Sequence, residues 1–286
     1  MATLRDIKGR IRSVTTTQKT TKAMNLVSSS KMARAKVKLT RSTPFFDEVR
    51  RVIGNIVIGS GDIQHKYFVR RETKRSLIIV IANDRGLCGG YNTNICKLAT
   101  NLKKSLDSEA SFYCIGNKAR DFFKRAGEDI MGFKNGISEN PFYEDAQEIA
   151  KMVMPLYEEG QFDEVYICYT EFVSAITYIP KSMRILPLSA ADFEDVAGNN
   201  ADFIKFEPSP MEVLNYVIPK YLATIILAAL SNSAASGQAA TMTAMDSATE
   251  NAENIIENLT LLKNRVRQAA ITQEISEIVG GANALE

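Results

Sequence analysis

From Lys220 to Glu286 the sequence contains no proline, and that length constrains the fold more than any other feature. About 60 helical residues at ~1.5 Å each span roughly 90 Å. A compact globule of this chain length has a radius of gyration near ~19 Å, hence a diameter of about 50 Å. One helix of that size cannot stay inside such a body, so the sequence predicts a rod. Its apolar seam runs Ala248, Ala252, Ile255, Leu259, Leu262, Val266 and Ala269, then shifts register to Ile271, Ile275, Ile278 and Ala282. Residues 228–252 are rich in Ala, Ser, Thr and Met, whose small side chains let two helices approach closely. Residues 231–237 are the one obvious hinge. A glycine there costs a helix only about 1 kcal/mol, so an unbroken helix is expected.

The N-terminal end offers a second long helix. Leu4, Ile7, Ile11 and Val14 follow 3-4-3 spacing, a coiled-coil seam. The register continues through polar Gln18, Thr21, Asn25 and Ser28, then turns apolar at Met32, Ala35 and Leu39, and again at Phe46, Val49, Ile53 and Ile56. The Thr and Ser clusters have weak helix propensity, so this turn of helix is expected to be held by packing. Two long helices leaving one domain pair most simply as an antiparallel coiled coil.

Between them the pattern changes. Residues 76–83 form a continuous β-branched apolar run, as in a strand buried on both faces. Residues 93–106, 118–126 and 145–158 read as helices. Residues 112–116 and 164–172 read as strands, and 176–188 as an extended segment broken by Pro180 and Pro187. Residues 190–210 read as a linker with one short strand near 203–206. This alternation predicts a Rossmann-like α/β domain with a mainly parallel sheet. Three parts follow: an N-terminal coiled-coil helix (1–58), a central α/β domain (65–208) and a C-terminal coiled-coil helix (211–286).

Tests for chemistry return little. The single histidine, His65, excludes histidine-cluster metal sites. Cys88, Cys96, Cys114 and Cys168 form no CxxC pair, which argues against zinc or a disulfide framework. The turn at residues 84–92, DRGLCGGYN, follows a strand and precedes a helix, where nucleotides often bind. Its G-x-x-G-G pattern is neither GxGxxG nor a P-loop, and Cys88 has no nearby histidine base. A tight turn without ligand is the better reading. No catalytic site, cofactor or metal is expected, and a second rival reading, a small nucleotide-binding enzyme using this turn, has little to support it. No export segment is visible. The most apolar stretch, 216–230, contains Pro219 and Lys220 and is too short to cross a bilayer. Any membrane association is expected to come through partners.

Charge is more informative. The net charge is only +2, yet residues 1–51 hold 13 Lys/Arg against Asp6, Asp47 and Glu48, a balance of +10. Residues 246–286 hold seven acidic groups against Lys263, Arg265 and Arg267, a balance of −4. Pairing the two helices cancels part of this and leaves a basic band suited to an acidic partner. A basic coiled-coil nucleic-acid-binding protein is the alternative. It is weakened by the lack of aromatics for base stacking in residues 1–44.

Three motifs resemble one family. The start, ATLRDIKGRIRSVTTTQKTTKAMNLVSSSKMARAK, is similar to the N-terminal helix of gamma subunits of F-type ATP synthases. DRGLCGGYN resembles that family's central signature. RQAAITQEISEIVGGANAL resembles its C-terminal signature, with Ile271, Thr272, Glu274, Glu277, Gly281 and Ala282 in the expected places. The chain looks like a bacterial member, without the chloroplast insertion or a transit peptide. The resemblance implies a rotor shaft inside a hexamer of alpha and beta subunits, with the α/β domain against the epsilon subunit and the c-subunit ring. It implies catalysis on beta and a place on the cytoplasmic face of the bacterial inner membrane. It implies torque-transmitting contacts at Lys19, Lys22, Met24, Arg267, Gln268, Thr272 and Glu274, with residues 19–24 facing 267–274. It also implies an apolar tip of Ile275, Ile278, Val279 and Leu285 in the sleeve's bearing. The coupling ion, H⁺ or Na⁺, belongs to the c ring and is not legible here.

Overall fold

A computed structural model describes residues 3–59, 65–69, 71–193 and 207–283. The expected strand near 203–206 and the tip residue Leu285 lie outside them. The elements are α1 (Leu4–Gly59), β1 (Arg75–Ile81), α2 (Tyr91–Ser105), β2 (Glu109–Ile115), α3 (Asn117–Arg125), β3 (Ile130–Lys134), α4 (Tyr143–Glu158), β4 (Glu164–Phe172), β5 (Tyr178–Leu186), a short 3₁₀ turn (Ala190–Phe193) and α5 (Pro210–Asn283). The chain divides into two compact units, residues 28–241 and residues 1–27 with 242–286. Helices α1 and α5 each contribute to both.

The larger unit is built on a five-stranded sheet of order β3-β2-β1-β4-β5. β1 pairs in parallel with β2 and β4, β2 pairs in parallel with β3, and β5 is antiparallel to β4. β1 is central and its two faces divide cleanly. Leu77, Ile79 and Ile81 enter a core with α4 and the ends of α1 and α5, while Ile78, Val80 and Ala82 enter a second core with α2 and α3. That is the period-2 alternation of a strand covered on both sides.

The helices behave as their composition dictates. α5 runs unbroken through residues 231–237, so no hinge forms there. It starts at Pro210 and continues through Pro219. Nearly every residue from Tyr221 to Ala240 is buried, apolar first and then Ala, Ser and Gly. A helix apolar on all sides is a core helix. α5 is therefore long and apolar enough to cross a membrane by composition, but Leu214, Ile218, Leu222, Ile226 and Leu230 spend that apolarity inside a protein core. α1 likewise continues through Pro44, a residue that costs a helix interior about 3 kcal/mol. Phe46, Val49, Ile53 and Ile56 pack the following turns into the sheet's core and hold it.

Two strands differ from expectation. β3, at one edge, was not anticipated, because its five residues IMGFK lack a clear alternating pattern. Residues 178–186 form one strand despite Pro180, because β5 is the opposite edge and one missing N–H is tolerated there.

In the smaller unit α1 and α5 run antiparallel. Gln18 Nε2 donates to Glu253 Oε1 at 2.9 Å, the Thr21 and Thr249 hydroxyls meet at 2.7 Å, and Asn25 Nδ2 donates to the Met242 carbonyl at 3.0 Å. Partner numbers fall on α5 as they rise on α1. The expected α1 seam is the face turned inward: every seam residue from Leu4 to Ile56 is buried or half-buried. On α5 the seam is corrected. Ile255 and Leu262 are exposed, and the inward residues are Met245, Thr249, Ala252, Ile256, Leu259, Lys263 and Val266. Both patterns alternate steps of four and three and share Ala252, Leu259 and Val266. Packing chose the alternative in which Thr249 meets Thr21. Ala269, the last residue of the expected first seam, is exposed, and so are Ile271, Ile275 and Ile278 of the second.

Candidate functional site

The polar middle of α1 explains itself at the level of single hydroxyls. Thr15, Thr16, Thr17 and Thr20 each donate to the carbonyl four residues back, at 2.8, 3.0, 3.3 and 3.0 Å. Thr21 bonds the Gln18 carbonyl and also meets Thr249. Of these bonds only the Thr21–Thr249 contact crosses the helix pair; Thr16, Thr17 and Thr20 bond their own helix on an outer surface that also exposes Leu26, Val27, Leu261 and Leu262.

On that surface Lys19 and Lys22 are exposed and Met24 is half-buried. Arg267, Gln268, Thr272 and Glu274 are exposed on α5, and the Thr272 carbonyl accepts from Ser276 Oγ at 2.9 Å. The two groups are not brought together. Extending the observed register at the α-helical rise puts residues 19–24 opposite roughly 246–252, about 30 Å along α5 from 267–274. The expectation that they face each other is therefore corrected. Ile275, Ile278 and Val279 are 56%, 72% and 52% exposed, and with Ile271 they leave the end of α5 apolar and uncovered within this chain.

The glycine-rich turn is a clamp. Asp84 Oδ1 accepts from Asn117 N at 3.0 Å, at the start of α3. Its Oδ2 accepts from Gly136 N at 3.0 Å and Ser138 Oγ at 2.8 Å. Asn92 Oδ1 accepts from Asn83 N at 2.8 Å, while Nδ2 donates to the Arg85 carbonyl at 3.1 Å and reaches Cys88 Sγ at 3.0 Å. This web holds Leu87 at φ 63°, a left-handed conformation costing a non-glycine residue about 1 kcal/mol or more.

The clamp closes on α5. Tyr91 Oη donates to the Ser233 carbonyl at 2.9 Å, and Cys88 and Tyr91 pack on Ala240. On the neighbouring strand, Thr170 N donates to Ser233 Oγ at 3.2 Å, Ser236 Oγ donates to the Thr170 carbonyl at 3.1 Å, and Phe172 N donates to Asn232 Oδ1 at 3.2 Å. β1 pairs with β4 only as far as Cys168. Beyond that point α5 side chains take the place of a neighbouring strand. In open α/β sheets a ligand sits where the strand order reverses, beyond the carboxyl ends of the strands. Here that crevice, between β1 and β4, is filled by residues 232–240 of the same chain, and this disposes of the nucleotide-binding reading of the turn.

The cysteines share this burial. All four are free and buried. Desolvation pushes Cys96, Cys114 and Cys168 up to about 12 and raises Cys88. None supplies a thiolate near neutral pH.

The sequence pattern of the ATP synthase family matches residues 3–285. The ATP synthase gamma chain of Alkaliphilus metalliredigens is 46% identical, over 99% of both chains. The chain belongs to the ATP synthase gamma-chain family. A second relative, the ATP synthase gamma chain of Heliobacterium modesticaldum, is 45% identical over the whole of both chains. Among solved structures, the central stalk and c-ring of the Tetrahymena thermophila mitochondrial ATP synthase superposes with a TM-score of 0.62 at 26% identity, covering 80% of this chain and 98% of that one. Family membership accounts for all three sequence motifs, and nothing in these likenesses favours a nucleic-acid-binding protein. What the residues alone did not disclose was that the central signature grips α5.

Proposed function

We propose that the chain is the central rotor of a membrane-associated ATP synthase, turning within a hexamer of alpha and beta subunits and joined at its α/β domain to the epsilon subunit and the c-subunit ring. It couples ion flow to ATP synthesis and hydrolysis on beta and has no catalytic site of its own. It works on the cytoplasmic face of a bacterial inner membrane, reached only through the complex. The observation that carries this reading is the antiparallel α1–α5 pair, joined by polar contacts and ending in an uncovered apolar segment. A shaft that rotates past protein must not stick at one angle, and on α1 the exposed Thr16, Thr17, Lys19, Thr20 and Lys22 serve that. An apolar end calls for a protein cover. Within this reading the domains are a helix at 1–58, an α/β body at 65–208 and a helix at 211–286. Lys19, Lys22 and Met24 form one torque contact and Arg267, Gln268, Thr272 and Glu274 a second, at a different height along α5. Ile275, Ile278, Val279 and Leu285 sit in the bearing.

Co-expression with alpha and beta subunits tests it. The expected result is a 3:3:1 complex with ATPase activity. An alpha–beta hexamer that forms and hydrolyses ATP without retaining this chain would overturn the reading.

A further inference from the structure

Rotation can pass between an α/β body and a helix only if the joint resists rolling and sliding. Apolar burial is non-directional, so a helix held by it alone can creep. Along α5 the apolar packing of residues 214–230 gives way, at Ser231, to small and polar residues. In that stretch Asn232, Ser233, Ser236, Gly237 and Ala240 share one face, at helical spacing. This face is gripped from two sides. Asn232, Ser233 and Ser236 make three bonds to the main chain of β4, at Thr170 N, Thr170 O and Phe172 N. Opposite them Tyr91 bonds the Ser233 carbonyl. Gly237 sits against Asn83 so closely that an added Cβ would lie 2.7 Å from Asn83 Oδ1. Hydrogen bonds to main-chain atoms fix both height and azimuth, and the glycine forms a slot for the Asn83 side chain.

We propose that Asn232, Ser233 and Ser236, keyed by Gly237, are the positioning residues that lock α5 to the α/β body against torsion. The closed switch-point crevice thus serves as a mechanical joint. The inference rests on the rotor reading and adds where in the larger unit the twist is borne.

The test uses the assembled complex fixed through its hexamer, with a bead on an added cysteine at exposed Lys104 of α2. The four native thiols are buried, so labelling is selective. Angular variance of the bead is measured in a nucleotide-stalled pause. The triple variant Asn232→Ala/Ser233→Ala/Ser236→Ala, which favours helix and adds no bulk, is expected to at least double the variance while ATP hydrolysis stays at the wild-type rate. Ser236→Ala alone should give a smaller increase in the same sense, and it decides the matter if the triple variant does not assemble. Variance equal to wild type in the variants overturns the proposal. A wild-type bead that never rotates under ATP would instead count against the rotor reading.

Discussion

The side chain of Asn83, two residues beyond β1, occupies the space that a side chain on Gly237 of α5 would need: an added Cβ would lie 2.7 Å from Oδ1 and 2.8 Å from Nδ2. Gly237→Leu is therefore expected to destabilise the chain by about 2–3 kcal/mol through overpacking. Gly237→Ala should be close to neutral, since the gain of about 1 kcal/mol in helix propensity offsets the displaced Asn83. Denaturant unfolding of the two variants checks the difference. A leucine variant as stable as wild type would show that the contact is loose.

Tyr91→Phe removes the bond to the Ser233 carbonyl and keeps the ring. The Tyr91 hydroxyl is fully desolvated, which raises its pKa well above the usual tyrosine range, so no phenolate compensates. A loss of about 1 kcal/mol is expected on melting. No loss would mean that the bond contributes nothing to the clamp.

The Thr21–Thr249 hydroxyl pair contacts at 2.7 Å inside the helix pair. Each single Thr→Val change should cost about 0.5–1.5 kcal/mol, and the double change less than the sum, because two apolar groups of the same shape leave no orphaned hydroxyl. A double-mutant cycle on thermal unfolding reads the coupling directly. Strict additivity would contradict the contact.

His65 gives the pH dependence. Burial lowers its pKa below 6.5, and neighbouring Lys66 lowers it further, against the opposing Asn215 bond at 3.0 Å and Glu158. The unfolded chain therefore takes up a proton as pH falls through 6.5, before the folded chain does. Stability contributed by neutral His65 is present above that pH and is lost as pH drops toward the folded value. The Glu158 carboxylate is also held low. Burial alone would raise its pKa, but bonds from Tyr67 and Lys66 keep it down, so its contribution is lost only below 4.5. As the only histidine, His65 is followed by its imidazole resonances without assignment. A folded pKa at or above 6.5 would contradict the burial. His65→Gln should flatten the stability profile in the upper window alone.

How far these features were legible depended on how local their causes are. Strand β1 could be read because the unbroken apolar run from Leu77 to Ala82, mostly β-branched, has no other comfortable place. The α1 seam could be read because its spacing holds from Leu4 to Ile56 even where Thr21 and Ser28 are polar. The α5 seam was misread by one position at Ile255 and Leu262, because two alternatives with identical spacing differ only in what they meet on α1. β3 escaped notice because an edge strand exposes alternate residues, Met131 and Phe133 among them, and needs no strong pattern. The clamp joining Tyr91, Ser233 and Thr170 could not be read, because its partners lie 142 and 63 residues apart in sequence.

The most direct measurement is to watch the chain turn. With the alpha and beta subunits fixed to a surface and a bead on Lys104→Cys, ATP is predicted to drive continuous rotation in one direction, in steps of one third of a turn. A bead that stays fixed while the same molecules hydrolyse ATP would contradict the account at its centre.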